Sequence, residues 1–165
     1  MSNLRLPMDG PVFQVSYRVI YGDTDAGSVV YNAQYLRFFE IGRTEMMRAW
    51  AMPYREIEKQ GFILPVTETY LRYKAPARYD DLLTISVCLT ELKKVSCRFH
   101  YRITRTDDDR EQLLVKGFTK HACVNRQGKL SPLPADIRAR MAAIFDGDRE
   151  KTLTLKKEKK STNRH

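Results

Sequence analysis

The sequence predicts an α+β domain in which one antiparallel sheet wraps a single long, apolar helix. Three observations lead there. One strand pattern comes first, then a long helical pattern, then about four strand patterns in succession, and this order is α+β rather than alternating α/β. The links between the later strands are short, and consecutive strands joined by short turns pair antiparallel. The long helix carries apolar residues on more than one face, so it must be wrapped by something else.

Each element has its own signal. Residues 12–20 alternate, with Phe13, Val15, Tyr17 and Val19 on one face, which reads as a half-buried strand. Residues 21–28, YGDTDAGS, are rich in Gly and Asp and read as a loop. Over residues 30–50, Tyr31, Tyr35, Phe38, Phe39, Gly42, Met46 and Trp50 fall at helical steps, and Leu36, Ile41 and Met47 widen the stripe. Glu40 with Arg43 and Glu45 with Arg48 have i,i+3 spacing and are expected to pair on the helix surface. Pro53 opens a short helix that Gly61 ends. Strands follow at 62–73, 82–92, 95–105 and 112–125, with a turn at 75–81. Pro132 and Pro134 precede a last amphipathic helix over 135–145.

A chain of 165 residues holds one domain, and residues 12–145 are expected to form it, with an N-terminal extension over 1–11 and a basic tail over 146–165. Eight Gly, seven Pro and three Cys exclude collagen-like and disulfide-scaffold classes. Cys88, Cys97 and Cys123 lack metal-ligand spacing and read as reduced, buried thiols. His100 and His121 lie in strand patterns without a third ligand, so no metal site is expected. The N-terminus has no apolar signal core and no run is long enough to span a bilayer, so a cytoplasmic location is expected. The net charge of +9 calls for an anionic partner. The last 20 residues carry +3 of it and residues 1–145 the remaining +6. After Leu155 the tail has no apolar residue, so disorder is expected there. Its short basic run has no aromatic platform for bases, and nucleic acid is not an expected partner.

The chemistry concentrates in residues 21–48. Asp23 and Asp25 sit in a tight loop that feeds the N-terminus of the apolar helix. This places a carboxylate beside unpaired backbone N–H groups and the positive end of the helix dipole. Such N–H groups can stabilise an oxyanion, and the carboxylate can attack a carbonyl or activate water. The plainer account of the same spacing is an Asp that caps the helix.

The segment GDTDAGSVVYNAQYLRFFEIGRTEMMR resembles the active-site loop and helix of the 4-hydroxybenzoyl-CoA thioesterase family of hotdog folds, and YLRYKAPARYDDLLTI resembles that family's strand, turn and strand. Within that family it resembles the branch of short acyl-CoA thioesterases associated with Tol–Pal genes in bacteria. The resemblance spans roughly residues 13–124. It implies a hotdog fold, acyl-CoA thioester hydrolysis, no separate cofactor, and a homo-oligomer, dimer or tetramer, with the site at a subunit interface. It implies Asp25 as the catalytic carboxylate and the backbone N–H of Asn32 as the group polarising the carbonyl, with Tyr31 beside the substrate. It matches the turn ELKKVS to a basic cluster that meets CoA phosphates, a role for Lys93 and Lys94. Ser28 stands where near relatives have Gly, and Asn32 where that branch often has His. Arg78 reads as structural. These departures leave a second reading open, a noncatalytic hotdog protein that binds acyl-CoA or an acyl carrier protein.

Overall fold

The computed structural model describes residues 4–146. The expectation of a disordered tail concerns residues 146–165, and apart from Asp146 these lie outside the described residues. The architecture is the one expected: a five-stranded antiparallel sheet curls over one long helix. Strand β1 (Phe13–Arg18) is followed by a 3₁₀ turn (Tyr21–Asp23), helix α1 (Gln34–Trp50), helix α2 (Tyr54–Lys59), and strands β2 (Phe62–Ile63) and β3 (Val66–Tyr73). Then come β4 (Leu82–Leu92), β5 (Ser96–Asp107), β6 (Arg110–Ala122), β7 (Val124–Asn125) and helix α3 (Ala135–Phe145).

The main sheet runs in the order β1-β4-β5-β6-β3. Its inner face is built from alternate residues: Val15, Tyr17, Leu83, Ile85, Val87, Phe99, Tyr101 and Ile103 point at α1 or flank it. Phe39 stacks on Tyr101 with ring centroids 4.2 Å apart. Gly42 brings the helix down onto the sheet, because a Cβ there would lie 2.7 Å from Ile85 Cγ2. Ile137, Met141 and Ile144 of α3 close the end of this core.

Three features differ from the sequence reading, one of them at 112–125, where β6 ends at Ala122 and the separate strand β7 pairs β2 in a two-stranded sheet. The strand predicted over 62–73 is two strands. Pro65 has no N–H for a ladder, and Leu64 turns its own N–H to the Tyr54 hydroxyl at 2.7 Å. The turn at 75–81 does not join neighbouring strands. It carries the chain from β3, at one edge, across to β4, which lies beside β1. On the way it is stitched to both flanks: Asp80 N–H donates to Val19 O, and Val30 N–H donates to Ala77 O. This crossing sits over the entrance to α1.

The outer face is partly covered. Leu6 is buried, Asp9 O lies 3.7 Å from Cys88 Sγ, and the His100 ring bonds Pro7 O at 2.8 Å. The segment ahead of β1 is therefore laid across β4 and β5, which is why Ser86, Cys88 and His100 are buried although they point away from the helix. All three cysteines are buried and unbridged. Burial pushes the Cys88 thiol up to about 11 and the Cys97 thiol up to about 12. Among the described residues no helix is long and apolar enough to cross a membrane.

Candidate active site

The two aspartates of the loop have separate fates. Asp23 is 1% exposed. Its Oδ2 accepts from the Tyr17 hydroxyl at 2.9 Å and the Ile20 N–H at 3.0 Å, and its Oδ1 accepts from Arg37 at 3.1 Å. Arg37 reaches it from the first turn of α1 and lies over the Tyr17 ring. Asp23 thus ties β1, the loop and the helix together. Its carboxylate is fully used, and burial beside it pushes the Tyr17 hydroxyl's pKa up.

Asp25 is exposed, and one of its carboxylate oxygens has no protein partner among the described residues. The other, Oδ1, accepts from Gly27 N–H at 2.8 Å. Gly27 permits this approach, because a Cβ there would lie 3.0 Å from the same oxygen. The backbone closes the loop with Asp25 N–H donating to Val29 O and Ser28 N–H donating to Asp25 O. Ser28 takes the left-handed conformation, φ 61°, that Gly adopts at no cost.

The helix entrance is open. Ala33 occupies the N-cap and has no side-chain oxygen with which to cap. Asp25 bonds Gly27, so it does not cap the helix either. The N–H groups of Asn32 and Ala33 find no acceptor among the described residues. Neighbouring bonds hold Asn32 in place: Tyr31 N–H donates to Asp23 O at 2.8 Å, and the Tyr73 hydroxyl donates to Asn32 O at 2.9 Å. Beside it lies a cavity of about 320 Å³ lined by Val29, Val30, Asn32, Tyr35 and Tyr73. Tyr31, which precedes Asn32, is 51% exposed.

Lys93 and Lys94 are elsewhere. They form the exposed turn between β4 and β5, whereas the Asp25 loop follows Arg18, which pairs with Leu82 at the opposite end of β4. The 11 residues of β4, at about 3.3 Å each, separate the two ends by roughly 35 Å. The structure does not bring these lysines to the Asp25 of their own chain.

A polar network escaped the sequence reading. Arg43 makes no ion pair with Glu40. It donates instead to the Tyr101 hydroxyl at 3.2 Å. Glu45 and Arg48 do pair as their spacing suggests. Leu64 O can only accept, so His121 carries its proton on Nδ1 and bonds that oxygen at 2.8 Å. His121 Nε2 then accepts from Thr119 (2.8 Å), and Thr119 accepts from Tyr101 (2.7 Å). Desolvation first, and the Arg43 charge second, push His121 down to about 4. The network borders a second cavity, of about 250 Å³, between α1 and the start of β3. Arg78, read as structural, has an exposed side chain; its backbone is engaged by Asp81, the N–H donating to Asp81 Oδ2 and the carbonyl accepting from Asp81 N–H. No group of three or more His, Cys, Asp or Glu is arranged to hold a metal among the described residues.

A sheet curled on one long helix is the hotdog architecture, and comparison with known proteins assigns it to the thioester hydrolases. The model of the thioesterase-like superfamily matches residues 19–141, and the chain belongs to that family. It is 36% identical over 130 residues to the acyl-CoA thioesterase YbgC of Haemophilus influenzae, covering 77% of this chain and 92% of that one. A crystal structure of a hypothetical protein from Thermus thermophilus superposes with a TM-score of 0.74 at 29% identity, over 79% of this chain and 98% of that one. A 4-hydroxybenzoyl-CoA thioesterase variant crystallised with 4-hydroxybenzoyl-CoA shares the fold, with a TM-score of 0.72 at 20% identity over 78% of this chain and 97% of that one.

Proposed function

We propose that the protein hydrolyses acyl-CoA thioesters to a carboxylic acid and free CoA, with Asp25 as the acting carboxylate. The observation that carries this reading is the pairing of a carboxylate with a free oxygen and an uncapped helix entrance on one rigid loop. The Asn32 N–H would donate to the thioester carbonyl oxygen as charge develops on it. Asp25 then acts in one of two ways. It attacks the carbonyl carbon, expelling CoA thiolate and leaving a mixed anhydride that water opens, or it takes a proton from the attacking water. In both, thioester plus water gives acid plus thiol, and no redox or metal cofactor is required. Tyr31 would border the substrate.

The working unit is a homo-oligomer on this reading. Strand β3 is an edge of the sheet with Val66 and Tyr73 each 50% exposed, an edge that a second copy could pair. A second copy would also be needed for Lys93 and Lys94 to meet the CoA phosphates of an Asp25 site. A carrier-protein thioester remains a further substrate to test beside CoA, and a cytoplasmic location fits either donor.

The test is hydrolysis of a panel of acyl-CoAs by the wild type and by Asp25→Asn. The expected result is turnover lost by about a hundredfold to ten-thousandfold in the variant. Equal rates would remove Asp25 from the mechanism. Tight CoA-ester binding by the wild type with no turnover of any thioester would favour the noncatalytic reading.

A further inference from the structure

The outer face of the sheet holds a small polar pocket at the end where β4 turns into β5. It is lined by Pro7, Asp9, Thr90, Glu91, Arg98 and His100 and has a volume of about 220 Å³. That is smaller than the roughly 300–1,000 Å³ of a pocket holding a whole ligand, so it suits one end of a larger molecule.

Its polar atoms are unfinished. Glu91 and Arg98 stand directly opposite each other on β4 and β5. Yet Glu91 Oε1 and Arg98 Nε are both buried without a hydrogen-bond partner among the described residues. Lys93 Nζ lies 3.5 Å from the same Glu91 oxygen, an ion-pair distance without hydrogen-bond geometry. The Arg98 guanidinium packs over the Phe118 ring at 4.9 Å, which holds its position. His100 donates from Nδ1 to Pro7 O at 2.8 Å, so Nε2 presents a lone pair that no described residue uses. Desolvation lowers the pKa of this ring and favours its neutral form. The pocket therefore sets the Arg98 guanidinium beside two unpartnered acceptors, Glu91 Oε1 and His100 Nε2, with Asp9 and Thr90 completing its lining.

Those groups select the ligand's chemistry. A carboxylate or phosphate inside the pocket would have no donor to give Glu91 Oε1 or His100 Nε2 and would leave both acceptors unsatisfied. A flat group that presents an amine donor next to a ring-nitrogen acceptor satisfies all three atoms. Adenine has such an edge, with its exocyclic amine beside a ring nitrogen. Immediately outside lie Lys93 and Lys94, both exposed, where phosphates attached to the base would emerge.

We propose that this pocket takes the adenine base of CoA, with the exocyclic amine donating to Glu91 and His100, a ring nitrogen accepting from Arg98, and the phosphates resting on Lys93 and Lys94. The proposal rests on the acyl-CoA reading above and adds the subsite that holds the nucleotide. The segment ahead of β1 becomes one wall of that subsite. The chemistry on the thioester would then be done by the Asp25 of another copy, since one chain holds the two sites at opposite ends of β4.

The test compares binding of CoA with that of its deamino analogue, in which the adenine amine is replaced by a carbonyl oxygen, by titration calorimetry on the full chain. The wild type is expected to bind CoA about tenfold more tightly than the analogue. Glu91→Gln, whose amide can donate to the new oxygen, should narrow or reverse that preference. Arg98→Met should weaken CoA about tenfold, and Lys93→Ala with Lys94→Ala should weaken both ligands alike. Equal affinity of the wild type for the two ligands would overturn the proposal and leave a pocket filled by ordered water only. So would an unchanged preference in Glu91→Gln with the wild-type melting temperature. Hydrolysis of an acyl-pantetheine thioester, which lacks the nucleotide, separates the two readings. Turnover there without base discrimination sinks the adenine pocket alone, and base discrimination without turnover of any thioester sinks the hydrolase reading alone.

Discussion

The two ends of β4 are built in opposite ways. At the Leu82 end the backbone and Asp23 make nearly every contact, and Asp25 and the Asn32 N–H are left free on a closed loop. At the Leu92 end side chains dominate, and charged groups stand close together with hydrogen bonds unmade. The first end has paid its ordering cost in the folded chain, as a reacting group must. The second keeps polar capacity in reserve, as a binding surface does. On the proposed reading, chemistry and recognition are separated by the length of a strand, and a second copy would be needed to reunite them.

The comparison can be broken in order of expected effect. Asp25→Asn, described above, is the largest. Next is Asp23→Ala, which strands the Tyr17 hydroxyl and the Ile20 N–H and removes the partner of Arg37. Because Arg37 is half exposed, a loss of about 3 kcal/mol in urea unfolding is expected, below the full cost of breaking a buried pair. Wild-type stability in that variant would show that the loop does not depend on Asp23. His121 tests the middle of the sheet. Its folded pKa of about 4 lies below the unfolded value of about 6.5, so the unfolded chain binds the proton first. Its contribution is whole above pH 6.5 and is lost as pH falls through that window toward 4, a change of about 3 kcal/mol. Urea midpoints from pH 7 to 4 should fall, and should fall less in His121→Gln. At the far end, Lys93→Ala with Lys94→Ala should raise KM for acyl-CoA about tenfold at low salt, with kcat kept and the difference shrinking as salt rises. An unchanged KM would take the lysines out of substrate binding. Ser28→Gly is the smallest, a gain of about 0.5 kcal/mol in unfolding free energy from relief of the left-handed backbone.

Much of the architecture was legible because it rests on local pattern. The bounds of β4 and α3 follow from alternation and from Pro132 and Pro134. The crossing at 75–81 was not legible. A short turn between two strands looks like a hairpin, and only the pairing of β3 with β6 and of β1 with β4 assigns its path. The site shows the same limit. Asp23 and Asp25 are equivalent by spacing, and their roles separate only when Tyr17 and Arg37 converge on one of them. Arg43 has the right spacing to pair with Glu40 but bonds Tyr101, 58 positions away. Glu91 and Arg98 carry no sequence signal, since their meeting depends on the register of β4 against β5.

The three cysteines bear on what becomes of the product. The proposed reaction releases a thiol, and thiols exchange with disulfides only through a thiolate. Cys88, Cys97 and Cys123 are buried, and each thiol's pKa is raised, so almost none is ionised at neutral pH. CoA disulfide forming near the site would find no nucleophile in the folded chain to capture it. On the proposed reading, the CoA released would meet no ready thiolate in the folded chain.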